Sequence, residues 1–241
     1  IWGYVAYQVV LAFLLYIGYY LYRPYKIKYA YNFKETIELI KVGLPIYFWG
    51  YLSQISRSIP RTMLVLFGNP TMVGLYAPAG SINAAMLNLP GYLNRYLFPR
   101  MSYNFGKTNN YKAVFNYTMK TAKILLPIML IIGILLAVLI PPAFTQFFPK
   151  YINSILVAQI TIFSGVFYSV NALFQSTLNS IKAFSAFKVI ISIRFIYIIG
   201  FSALSWLIFD QLLLAVACGA VLAEFFNMFN YYYFLKKYST D

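Results

Sequence analysis

Arg57, Arg61, Arg95, Arg194 and Glu224 stand inside long apolar runs, where a charge has to earn its place. A charged side chain near the middle of a membrane helix costs about 2.5–3.5 kcal/mol on insertion scales, so such residues face a cavity, a partner or water. The segment "ISRSIPRTM" (55–63) sets Arg57 and Arg61 one helical turn apart, with Pro60 between them. Pro60 has no amide hydrogen and frees the carbonyl of Ser56, which predicts a kink. Guanidinium groups offer a planar fork of donors that suits phosphate or carboxylate oxygens. Arg61, near the end of its run, is equally explained by a side chain reaching the outer headgroups. Arg57, a turn deeper, is not.

Three further patterns extend the polar set. Ser81, Asn88 and Arg95 recur every seven residues and share one helical face, with Pro90 and Gly91 offering a bend. Snorkelling explains Arg95 alone as well as a cavity does. Ser164, Tyr168, Asn171, Gln175, Asn179 and Lys182 form a stripe down another face, long enough for a wet surface rather than one or two interhelical bonds. Arg194 and Glu224 fall at similar depths on what should be neighbouring antiparallel helices. An ion pair that fixes packing and a gating or ion-coupling role for Glu224 are both open.

The elements that carry these residues follow from composition. The chain of 241 residues is 61% hydrophobic and 10% charged, against about 25% charged in soluble domains. About 20 apolar residues span a bilayer. Seven spans can be drawn, near 1–22, 40–66, 72–98, 122–141, 152–180, 186–208 and 211–235. Turns are expected at "RPYK" (23–26), "GNP" (68–70), "FGKTNN" (105–110) and "PP" (141–142). The fold class is an all-α, polytopic membrane helical bundle. Residues 23–39 are read as a linker, 40–235 as a six-helix lobe and 236–241 as a tail.

Most of the 19 cations fall in alternate turns: Arg23, Lys26, Lys28, Lys34 and Lys41; Arg100, Lys107, Lys112, Lys120 and Lys123; Lys182 and Lys188; Lys236 and Lys237. The opposite turns offer Lys150. By the positive-inside rule the first set and the C-terminus are cytoplasmic. The net charge of +14 is then topology and contact with anionic membrane lipids, not nucleic acid. With no histidine, five acids and the single Cys218, a metal site, a cofactor or a carboxylate pair for catalysis is not expected.

The order "IKVGLPIYF", "SIPRTMLVLFGNPTMVGLYAPAGSI", "LFPRMSYNFGK" and "QSTLNSIKAFSAFKVIISI" resembles the C-terminal half of polysaccharide flippases of the O-antigen or capsule type. These belong to the multidrug/oligosaccharidyl-lipid/polysaccharide exporter superfamily. The resemblance covers about residues 24–237. It implies that residues 1–22 are the last helix of an N-terminal lobe lying upstream, and that both lobes surround a cavity opening alternately to either side. It also implies a bacterial cytoplasmic membrane and a cargo of polyprenyl-pyrophosphate-linked oligosaccharide, moved from the inner to the outer leaflet. Arg57, Arg61, Asn88, Arg95, Asn171, Gln175 and Arg194 would then contact cargo. Two departures stand out: Pro60 replaces an acid that relatives carry before the Arg, and a Gly-Ala-Ala turn appears only as "ACGAV". A drug exporter for organic cations is the alternative within the superfamily. A membrane glycosyltransferase or polysaccharide polymerase is the alternative outside it, but the two aspartates, Asp210 and Asp241, lack acidic neighbours.

Overall fold

The computed structural model describes residues 2–22 and 32–240. It contains helices α1 (Trp2–Tyr22), α2 (Phe33–Phe67), α3 (Pro70–Thr108), α4 (Tyr111–Phe147), α5 (Ile155–Ser180), α6 (Phe184–Phe209) and α7 (Leu212–Thr240). A short 3-10 turn, Pro149–Ser154, joins α4 to α5. The all-α reading therefore holds, with no strand among the described residues. Arg23, Lys26, Lys28 and the turn expected at 23–26 lie outside them, as does Asp241. Two compact units divide the chain, residues 1–44 and 45–241, and α2 passes from one to the other. The first unit holds α1, whose described side chains are almost all exposed.

Five helices are long and apolar enough to cross a membrane: α1, α4, α5 with its preceding turn, α6 and α7. Helices α2 and α3 have the length but fall short in apolarity, so two of the seven expected spans are not supported on composition. The physical reason is visible in their sequences, where Arg57 and Arg61 interrupt α2, and Asn83, Asn88, Asn94 and Arg95 interrupt α3.

The turns show how local chemistry sets the boundaries. Asn69 caps α3 by accepting the amide of Met72 at 2.9 Å, with Pro70 in the first helical position. Asn109 ends α3 in the left-handed conformation (φ 48°), and Asn110 starts α4 by accepting the amide of Ala113. Helix α4 therefore begins at Tyr111, well before the expected 122, and α2 begins at Phe33 rather than near 40.

The turn expected at Pro141–Pro142 is not there; α4 continues to Phe147. Pro141 cannot bond the carbonyl of Ala137, and Gln159 of α5 donates its Nε2 to that oxygen at 2.8 Å. Thr145 donates to the carbonyls of both prolines. In a membrane, a broken helix survives where neighbouring groups re-satisfy it in this way.

Within the second unit, α5 is the axis and packs closely on α3, α4 and α7, while α6 packs on α7. Small residues allow the close approaches. A methyl group on Gly219 would sit 2.6 Å from the Ser202 backbone, and one on Gly165 would sit 2.8 Å from Met86. Thr118 and Thr177 hydroxyls meet at 2.9 Å, tying the start of α4 to the end of α5, and Ser185 meets Tyr238 at 3.0 Å, tying the start of α6 to the end of α7. The basic turns at 100–123, 182–188 and 236–237 thus gather at one end of the unit, with Lys150 at the other. Helix α2 joins none of the close-packed pairs. It meets the bundle through the buried Ser53, Ser56, Pro60 and Leu64, and the buried Arg194 reaches across to Ser53.

Candidate functional site

Arg194 and Glu224 form an ion pair at the centre of the α6–α7 interface, both almost wholly buried. Arg194 donates Nη2 to Glu224 Oε1, and Asn171 of α5 donates Nδ2 to Oε2 at 2.8 Å and to the Glu224 carbonyl at 2.9 Å. Both carboxylate oxygens are occupied. The second fork of Arg194 reaches Ser53 of α2 at 3.4 Å, at the limit of a hydrogen bond. Buried charge of this kind is tolerated because each partner neutralises the other and the leftover lone pairs find donors.

Tyr168 of α5 links this pair to Arg57. Its ring lies 4.5 Å from the Arg57 guanidinium carbon and 5.4 Å from that of Arg194. A cation over an aromatic face gains about 0.5–2 kcal/mol, more when desolvated. Two guanidiniums therefore share one ring, against the single carboxylate of Glu224. Counted by formal charge, the group as a whole has one more cation than anion.

That surplus borders open space. A narrow cavity of about 40 Å³, room for a water or two, is lined by Ser56, Arg57, Pro60, Tyr76, Asn83 and Tyr168 among others. Beyond Arg57 and Tyr168 it is continued by a wider recess of about 250 Å³, bounded by Gly91, Asn94, Gln175, Ser176 and Asn179. These last residues lie in the halves of α3 and α5 that run toward the basic end, so the recess leads that way. Arg57 stands where the two meet. Its Nε and the Oδ1 of Asn94 are buried without hydrogen-bond partners, one donor and one acceptor left unspent.

The sequence-predicted residues separate cleanly. Arg57, Gln175 and Arg194 border the two cavities, as do Ser164, Tyr168 and Asn179 of the α5 stripe. Asn171 is turned inward as a ligand of Glu224. Lys182 lies past the end of α5 and is exposed. Pro60 is buried against the narrow cavity, and α2 runs through it without a break in its helical run. Arg61 is exposed and does not border the cleft.

Ser81, Asn88 and Arg95 are exposed, and Arg95 packs over Tyr92 at 5.7 Å. The expected cavity face of α3 is therefore displaced: Asn83, Leu87, Gly91 and Asn94 meet the cleft instead. At about 100° per residue, Asn88 and Arg95 point some 120–140° away from Asn83. The apolar residues decide which side turns inward. Met86, Pro90 and Leu97 are buried and flank the Asn83–Asn94 line. A sequence reading that weighted this apolar face would have found Asn83 and Asn94, which the heptad of polar residues concealed. Ser53, one turn before Arg57, was missed because a lone serine carries no signal of its own.

A helical membrane bundle with a cationic cleft between α2, α3 and α5 is thus the class that fold and site define. Over residues 1–153 the sequence matches the profile of a family described as polysaccharide biosynthesis protein. The chain belongs to that family. The match takes in Arg57 and Pro60 but stops before α5, so Tyr168, Asn171, Arg194 and Glu224 lie beyond it. No curated protein and no solved structure matches the chain.

Proposed function

We propose that the protein is a flippase for lipid-linked oligosaccharide, working by alternating access, and that the Arg57 cleft receives the diphosphate that joins lipid to sugar. The observation that carries this reading is the pairing of Arg57 and Arg194 on Tyr168 with only Glu224 to balance them. Of the three parts of such a cargo, the diphosphate is the one hydrocarbon rejects most strongly. A preformed excess of guanidinium lowers that barrier, and charge-assisted bonds to phosphate are the strong ones. Gln175, Ser176, Asn179 and Asn94 add neutral donors and acceptors suited to sugar hydroxyls.

At about 250 Å³ the recess is slightly below the usual range for ligand pockets, about 300–1,000 Å³. Cargo entry then requires α2 to move away from α5, and α2 has the loosest backbone packing in the unit. Membership of a polysaccharide biosynthesis family supports the class of cargo. The pair Arg194–Glu224 is read as the hinge pin of α6 on α7, with Asn171 holding the carboxylate.

Reconstitution of the full-length protein tests the reading. Liposomes carrying a fluorescent polyprenyl-diphosphate oligosaccharide should lose inner-leaflet label at a rate set by the protein. The same vesicles should not accumulate organic cations. Cation transport without lipid flipping would identify a drug exporter and overturn the proposal.

A further inference from the structure

The α3–α4 hairpin carries six cations, Arg95, Arg100, Lys107, Lys112, Lys120 and Lys123, and no acid between residues 70 and 147. The cargo cleft borders on neither α4 nor any of these cations. Both α3 and α4 lean on α5, yet they barely touch each other. The gap between them at the basic end is a groove of about 360 Å³, lined by Leu93 of α3 and by Tyr117, Lys120, Thr121, Ile124 and Ile128 of α4. Tyr117, Thr121, Ile124 and Ile128 recur at intervals of four, three and four, with Lys120 beside Thr121, and so form one continuous face.

The groove is graded along its length. Helix α4, with 37 residues, is about 55 Å long and outreaches the roughly 30 Å hydrocarbon core. Residues 124–147 hold no charge and suffice for the crossing. Lys120, Thr121 and Tyr117 therefore fall at headgroup level, with Ile124 and Ile128 just below in the hydrocarbon. A second groove toward the other end, lined by Ala77, Pro78, Ile82, Phe144 and Phe148, has the apolar wall but no cation.

We infer that the groove lined by Leu93, Tyr117, Lys120, Ile124 and Ile128 is a binding site for an anionic phospholipid of the surrounding bilayer. The phosphate group pairs with Lys120, beside the hydroxyl of Tyr117, and one acyl chain lies along Ile124 and Ile128. The charge complementarity selects the headgroup; the apolar wall only seats the chain, since lipid tails gain little by leaving other lipid tails. Such a lipid brings negative charge to a hairpin that has none of its own. It does so without entering the cleft, so the inference stands independently of the proposed cargo.

Native mass spectrometry of the full chain released from detergent tests it, comparing phosphatidylglycerol with phosphatidylcholine. A single basic residue near the membrane surface corresponds to about a fivefold preference for the anionic lipid. Lys120→Gln should abolish that preference and leave phosphatidylcholine binding unchanged. Ile124→Trp, at an exposed position that tolerates substitution, should weaken both lipids. Lys112→Gln, in the same hairpin but outside the groove, should change neither. A preference that survives Lys120→Gln, or that falls equally in Lys112→Gln, would overturn the site. So would a Lys120-dependent preference for polyprenyl phosphate over phosphatidylglycerol, which would make the groove part of the cargo path.

Discussion

Glu224→Ala is expected to lower the unfolding midpoint of the purified protein more than any other single change in the bundle. The substitution leaves the buried Arg194 guanidinium without its counter-ion, in a region where water cannot replace it. Removing one partner of a buried pair costs about 3–5 kcal/mol, whereas replacing both by apolar residues of similar size is often neutral. The double variant Arg194→Met/Glu224→Met should therefore recover most of the loss. Thermal unfolding followed by the fluorescence of Trp49 and Trp206 would give the four corners of the cycle. Additive losses would contradict the pairing, because independent sites add and coupled ones do not. The double variant has a second use. If it folds as well as the parent but no longer transports, Arg194 does more than hold α6 to α7.

Arg57→Gln should have its effect on cargo rather than on stability. Arg57 is only half-buried and has no carboxylate partner among the described residues, so its removal orphans no charge there. A hydrogen bond to a charged group contributes about 1.5–3 kcal/mol, which predicts a loss of affinity for the diphosphate lipid of about 10–100-fold. Arg57→Lys keeps the charge but not the planar fork or its stacking on Tyr168, and should fall between the two. Arg61→Gln, exposed and away from the cleft, should bind as the parent does. Equal losses at 57 and 61 would mean that a diffuse field, not a built site, attracts the cargo.

How much of this was legible in the sequence depends on what each residue competes with. Apolar runs located the seven α-helices among the described residues, although α2 and α3 fall short of the apolarity of the other five. Helix ends were read poorly where helices continue past their apolar runs, as α3 and α4 do at Lys107 and Lys112. The continuation of α4 through Pro141 was invisible, since it depends on Gln159 of another helix reaching the freed carbonyl.

The site divides in the same way. The α5 stripe and the depth-matched Arg194 and Glu224 were readable from helical spacing alone. Which face of α3 turns inward was not, because Ser81, Asn88 and Arg95 make a more regular polar line than Asn83 and Asn94 do. Only the packing of Met86 and Leu97 on the bundle separates them. The bond from Asn171 to Glu224 likewise requires α5 and α7 to be in contact before it can be recognised.

The most direct test of the central claim is protection of the recess by cargo. Gln175→Cys and, as the opposite-face control, Asn88→Cys would each be placed in a Cys218→Ser background of the full-length protein. A membrane-impermeant thiol reagent should label 175, and a membrane-permeant one should label 88 as well. Polyprenyl-diphosphate oligosaccharide should slow labelling at 175 and leave 88 unchanged, while the polyprenyl alcohol without its diphosphate should protect neither. Protection at 88 but not at 175, or at neither position, would contradict a cargo site in the Arg57 cleft.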